Sequence, residues 1–181
     1  MEKKLAEMTL EELWQLFPIT LTPHQACWAQ WYREEAAALG PLLPLCTLHH
    51  IGSTAVPGIW AKPIIDILAV APRQIGLPPL RDALTAQGWL CMSQAPARVS
   101  LNKGYTPQGF AQRVFHLHLR LEGDWDELLF RDYLLAHPDT AKEYERLKLS
   151  LWKPYEHDRD GYTNAKAPFV GRVMALAKAA R

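Results

Sequence analysis

One carboxylate stands out in this chain by its surroundings. Asp66 interrupts the run Ile64-Ile-Asp-Ile-Leu-Ala-Val70, which is otherwise wholly apolar. Such a run suits a central strand buried on both faces, where a carboxylate needs a positive partner. Just upstream, Gly52-Ser53-Thr54 reads as a turn whose backbone N–H and hydroxyl groups can donate to phosphate oxygens, with glycine letting the backbone approach. A phosphate turn beside one carboxylate is a phosphate-and-metal arrangement, with Mg2+ as the ion that suits carboxylate and phosphate oxygens.

Arg113–Leu121 has the cleanest two-residue period. Phe115, Leu117, Leu119 and Leu121 point one way, and Val114, His116, His118 and Arg120 the other. Two imidazoles at this spacing can ligate one transition metal with Asp66 as third ligand, or form a polar face that meets phosphate. The second reading is favoured, since no further ligand is defined. Lys62, at the entrance of the Asp66 strand, and Arg120, beside the two histidines, are candidate phosphate cations. Lys148 shares a helical face with Tyr144 and Leu151. Lys166 is placed near the start of the last helix, whose positive end favours anions. Arg131 is a fifth candidate, with pairing to Asp132 or Glu127 as its alternative. His49 and His50 lie on opposite faces of one strand, so at most one looks into the site. Trp60 is a candidate to stack on a base, and the other tryptophans read as packing.

The elements that must position these groups follow from punctuation and periodicity. Thr9-Leu-Glu-Glu12 is a capping-box pattern opening a helix to about Phe17. Thr22-Pro-His-Gln25 repeats it for a longer helix to about Leu39, with Trp28, Trp31 and Tyr32 facing the core. Strands are expected over Leu45–Ile51, from Ile64 to Val70, over Trp89–Met92, Arg98–Lys103 and Arg113–Leu121, with a helix ending at Gly88 and a loop over Lys103–Gly109. Asp124 caps a helix to about Ala136; a second follows His137-Pro138, and a last one spans about Pro168–Ala180. The order gives an α+β (mixed α/β) domain with a helical C-terminal portion from about residue 124.

A length of 181 residues fits one domain, with 49% hydrophobic and 22% charged residues. The net charge of +1 gives no argument for nucleic acid or a membrane surface as partner. No Asp or Glu occurs between Asp82 and Glu122, so that section is expected to carry positive potential. Cys27, Cys46 and Cys91 show no metal-ligand spacing, and the last two read as reduced core residues. Without a signal peptide or a membrane-spanning run, a cytoplasmic location is the default expectation.

Gly52-Ser53 followed by Asp66 resembles the signature of the nucleotidyltransferase superfamily, in which the turn holds NTP phosphates and carboxylates hold divalent metal. The longer string His50-Ile-Gly-Ser-Thr-Ala-Val-Pro-Gly58 with Ala61-Lys-Pro-Ile-Ile-Asp-Ile67 resembles the hallmark of the GrpB family. His116-Leu-His118, Phe130-Arg-Asp-Tyr-Leu134, Leu147-Lys148 and Lys166 ahead of Phe169 extend the likeness over nearly the whole chain. The resemblance implies a nucleotidyltransferase-like mixed sheet with flanking helices. It also implies a nucleotide or another small phosphorylated molecule as ligand, with Mg2+ at Asp66. Two departures stand against it. His24-Gln-Ala-Cys-Trp28 replaces the family's usual Tyr-Asp-Pro-x-Trp. Leu68 occupies the place where active members of the superfamily carry a second carboxylate, and two-metal transfer needs bridging carboxylates. Three readings stay open: a metal-dependent nucleotidyltransferase acting on an unidentified acceptor, a non-catalytic nucleotide- or phosphate-binding module, and a metallohydrolase using Asp66, His116 and His118 with a bound transition metal. Related domains fused to dephospho-CoA kinase connect the second with coenzyme A metabolism.

Overall fold

The computed structural model describes residues 3–123 and 125–181. Its centre is a five-stranded mixed sheet in the order β1-β2-β5-β4-β3, formed by β1 (Thr47–Ile51), β2 (Ile65–Ala71), β3 (Leu90–Ala95), β4 (Arg98–Thr106) and β5 (Gly109–Leu121). Only the β2–β5 pair is parallel. Its register sets Asp66 beside His116, Leu68 beside His118 and Val70 beside Arg120. Across antiparallel β1, Ile51 faces Asp66 and His49 faces Leu68. The expected mixed α+β fold with a helical C-terminal portion is present.

One sheet face carries the main core. Ile65, Ile67, Ala69, Phe115, Leu117 and Leu119 pack there with Trp28 of α2 (Cys27–Leu39) and Leu80 and Leu84 of α3 (Pro78–Ala86). The opposite face begins with Asp66 and turns apolar within two residues. Ile51, Leu68 and Val70 are covered by Trp125 and by Leu128 of α4 (Asp126–Ala136). A carboxylate at position 68 would therefore sit beneath Trp125 and Leu128, between His49 and His118 in register, with no solvent access. A second helical cluster joins Val56 and Ile59, from the link between β1 and β2, to α4, α5 (Pro138–Trp152) and α6 (Arg159–Ala179). That cluster brings the C-terminal helices against the Gly52–Asp66 segment.

The N-terminal capping box is as expected: in α1 (Leu10–Leu16), Thr9 accepts from the Glu12 N–H and Glu12 accepts from the Thr9 N–H. Other boundaries move, each for a local reason. Thr22 does not cap α2, because its backbone N–H and C=O pair with Ala61, and the helix starts at Cys27. β1 begins at Thr47, after Leu45 takes a positive φ of 65°. The expected loop over Lys103–Gly109 is mostly strand, with only Pro107 and Gln108 between β4 and β5. The last helix starts at Arg159, nine residues before Pro168, capped by Asp158, whose carboxylate accepts from the Gly161 N–H. The capping role read for Asp124 lies outside the described residues. Cys91 is exposed on β3 rather than in the core, and Cys46 is half-buried. The expected positive section is offset from outside it: Lys103 pairs with Glu35, Arg113 with Glu34, and Arg120 with Glu127. No helix among the described residues is long and apolar enough to cross a membrane.

Candidate functional site

Where β2 and β5 meet the Gly52 turn, α5 and α6 close a cavity of about 200 Å3. Gly52, Ser53, Thr54, Lys62, Asp66, His116, Lys148 and Lys166 all line it, so eight sequence candidates converge. Each element contributes for a reason. Gly52 has φ 72° and ψ −174°, a conformation essentially confined to glycine, and it swings the chain from β1 into the short turn at Ser53–Ala55. The buried helix faces of α5 and α6 then deliver the amines of Lys148 and Lys166.

Among the described residues Asp66 is the only carboxylate in the wall, and it is heavily engaged. Its Oδ1 lies 3.1 Å from His118 Nε2 and 3.5 Å from His116 Nδ1. Both imidazoles are oriented from behind. Arg159 Nη1 donates to the Tyr105 hydroxyl at 2.9 Å, which directs that hydroxyl's own hydrogen to His116 Nε2 at 2.7 Å. His116 is thereby left with Nδ1–H toward Asp66. Arg120 Nη2 donates to His118 Nδ1 at 3.4 Å while pairing with Glu127 at 3.0 Å, and this leaves Nε2–H toward Asp66. Burial raises the Asp66 carboxyl, but the hydrogen bonds from His116 and His118 outweigh it and hold the group well below the usual carboxylate range. Burial lowers His116, with Asp66 opposing.

The amines face the other side of the cavity. Lys148 is fully buried; it donates to Ser53 Oγ at 2.9 Å and to the Trp60 carbonyl. Among the described residues, neither Lys62 nor Lys166 has a hydrogen-bonded or ion-paired partner, and both sit over the Tyr162 ring, at 5.5 and 4.5 Å. Burial, then repulsion from Lys166 and Arg159, lowers Lys62 to about 7. Burial and the Lys166 charge lower Lys148 to about 7. Lys166 falls to about 8, burial again leading and Asp66 opposing.

Three wall residues, Ile64, Tyr144 and Tyr162, were absent from the sequence candidates. Tyr144 stacks on Phe169 and lies under the Lys148 amine at 4.8 Å. Tyr162 is completely buried, and its hydroxyl has no partner within the described residues. Each tyrosine precedes its lysine by four residues, one helical turn, and that repeated spacing was the available signal.

Other candidates fall outside. Arg120 shares the face of the histidines but lies farther along β5, bonded to Glu127 and to the Val99 and Leu119 carbonyls. Arg131 pairs with Asp132 and donates to the His50 carbonyl. His118 touches Asp66 from behind without lining the cavity. His50, on the α2 side of the sheet, stacks on Tyr32 and shares a hydrogen bond with Thr54. Trp60 serves the site through its backbone, its N–H donating to Glu145 at 2.7 Å and its carbonyl accepting from Lys148. Lys166 enters two turns into α6, so the helix dipole is not what places it.

Fold and cavity together describe a mixed-sheet α+β protein with a cationic, tyrosine-walled cavity at one end of its parallel strand pair. The chain belongs to the GrpB family, whose model, described as GrpB protein, matches residues 18–176. A UPF0157 protein of Pseudomonas aeruginosa is 38% identical over 167 residues, covering 90% of this chain and 69% of its own. The crystal structure of GrpB from Enterococcus faecalis aligns with a TM-score of 0.76 at 30% identity, covering 87% of this chain and 96% of that one. A dephospho-CoA kinase of Mycolicibacterium paratuberculosis is 27% identical over 146 residues, which is 66% of this chain and 36% of that protein. Weaker likenesses include the Cid1 poly(U) polymerase, at 13% identity and a TM-score of 0.44, covering 77% of this chain and 44% of that one.

Proposed function

We propose that the protein binds a small phosphorylated ligand, nucleotides included, by seating its phosphoryl group among Lys62, Lys148 and Lys166 without a divalent metal. The observation behind this reading is the convergence of three lysines on a cavity whose wall holds a single carboxylate. Amines packed this closely depress one another's protonation, and a multivalent anion between them relieves both the repulsion and the lost hydration. Ser53, the turn backbone and the unpartnered Tyr162 hydroxyl add hydrogen-bonding groups around the same space. A volume of about 200 Å3 is smaller than the ~300 Å3 of the smallest drug-sized pockets, and suits a phosphoryl or pyrophosphoryl group.

The donor set does not fit Mg2+ in the manner of two-metal transfer. Oδ1 of Asp66 is occupied by two imidazoles, Leu68 is sealed under α4, and the described residues contain no group of three His, Cys, Asp or Glu able to hold a metal. The same geometry counts against the transition-metal reading of His116 and His118. Isothermal titration of pyrophosphate, ATP and dephospho-CoA into the protein in EDTA and in Mg2+ tests the reading. Dephospho-CoA is included because of the likeness to the kinase. Binding in EDTA is expected; binding that appears only with Mg2+, or none with any of the three, overturns it.

A further inference from the structure

Beside the lysine cavity lies a second compartment of about 110 Å3, and Lys62 and Ile64 wall both. Its character differs. Trp31 of α2, Phe110 of β5 and Pro63 supply flat apolar surfaces. At its edge stands Arg159, the first residue of α6. One guanidinium nitrogen of Arg159 donates to Tyr105, while Nη2 is buried and has no acceptor among the described residues. A buried charged N–H without an acceptor is costly, so Arg159 gains from any acceptor that its side chain can turn to meet. Arg159 also repels Lys62 across the boundary between the compartments. A group rich in acceptor atoms lying between them would ease both.

We infer that this compartment receives a flat unsaturated ring bearing a hydrogen-bond acceptor, carried by the ligand whose phosphoryl group sits among the lysines. The inference rests on the phosphoryl reading of the neighbouring cavity. Each compartment, at 200 and 110 Å3, falls short of the ~300 Å3 usual for a small-molecule site, and the two share the Lys62 and Ile64 walls. A sugar phosphate would occupy the lysine cavity yet leave Arg159 and the apolar walls of the second compartment unmet. Nucleoside phosphates and pyridine-type phosphates both carry the required ring, and they differ enough to be told apart.

The test is calorimetric titration of the full chain with pyrophosphate, ribose 5-phosphate, adenosine and uridine monophosphates, and pyridoxine 5′-phosphate. At least one ring-bearing phosphate is expected to bind about tenfold or more tighter than ribose 5-phosphate, the scale of one aromatic contact plus one charged hydrogen bond. The ring with the larger advantage identifies the source. Ala111 is exposed on β5 and lines the compartment, so Ala111→Phe should fill it without disturbing the core. That variant is expected to erase the ring advantage while holding pyrophosphate affinity within about twofold, a change too small to signal a lost contact. Phe110→Ala provides the same readout should Ala111→Phe melt early. Equal affinity for ring-bearing and sugar phosphates, or a ring advantage that survives in both variants, overturns the inference alone. Failure of pyrophosphate itself to bind overturns the phosphoryl reading and this inference with it.

Discussion

Gly52 and Asp66 occupy each other's space. A methyl carbon built on Gly52 would stand 2.6 Å from Oδ2 of Asp66 and 3.1 Å from its Cβ. The missing side chain thus makes room for a carboxylate of the protein, where the sequence suggested room for a phosphate. One oxygen of Asp66 is held by two imidazoles and the other lies against the turn, so the group acts as the fixed negative centre of a cationic site.

Gly52→Ala is expected to fail twice, through the glycine-only backbone angles and through the displaced carboxylate. Its stability loss should be about 1–3 kcal/mol from the backbone alone. Urea denaturation measures this, and phosphoryl affinity should fall with it because Asp66 and the Ser53 turn move together. An alanine variant with unchanged midpoint and affinity would show that the carboxylate can step aside.

Asp66→Asn separates a metal ligand from an electrostatic centre. Asparagine keeps one side-chain oxygen for the His116 and His118 N–H groups, loses the charge and turns the second oxygen into an NH2 donor. Pyrophosphate affinity in EDTA is expected to hold or rise, since the anion no longer faces a carboxylate. A drop of about tenfold or more would mean that Asp66 supports the anion, through a bound cation or by keeping Lys62 and Lys166 protonated.

Much of this arrangement was legible because two-residue and helical periods fix faces. The apolar run around Asp66 and the alternation through His116 and His118 place both strands on one sheet, and the parallel register then makes Asp66 and His116 neighbours. Faces alone do not fix depth. Arg120 shares the histidine face, yet lies four residues past His116 and beneath α4, where Glu127 takes its charge. Tyr105 fell in a segment whose glycine and proline content reads as loop, although the hairpin needs only Pro107 and Gln108 for its turn. Arg159 lies ahead of the helix expected from Pro168, because that proline is tolerated inside α6 rather than starting it. The relay from Arg159 through Tyr105 to His116 is long-range and leaves no local pattern.

The pH dependence of stability should report the lysines. An unfolded lysine titrates near 10.4, roughly three units above Lys62 and Lys148, both at about 7, and above Lys166 at about 8. Between these limits the unfolded chain binds more protons than the folded one, so the lysine contribution to stability rises with pH. Below about 7 the burial of charged amines is felt in full. Near and above 10 the raised phenols of Tyr144 and Tyr162 work in the opposite direction, since the unfolded chain then loses their protons first. Urea midpoints at about pH 6.5, 8 and 9.5 should therefore climb without ligand and climb less in saturating pyrophosphate. A midpoint that is flat or falling over this window would show that the amines are not held as described.

Lys148 and Lys166 line the same cavity but are tied to the protein differently, and this predicts opposite outcomes on stability. Lys148 is bonded to Ser53 and to the Trp60 carbonyl, so Lys148→Met leaves buried acceptors unmet and should cost about 1–3 kcal/mol. Lys166 has no acceptor among the described residues and only the Tyr162 ring beneath it. Lys166→Met removes a like charge from the cluster, so stability without ligand should be unchanged or higher. Both variants should lose about tenfold or more in pyrophosphate affinity, as expected for deleting a charged hydrogen-bond partner. A residue kept for structure loses stability when removed, whereas one kept for a ligand loses only affinity. Lys166→Met is the variant that isolates the second case, and unchanged affinity there would remove the lysine cluster as an anion site.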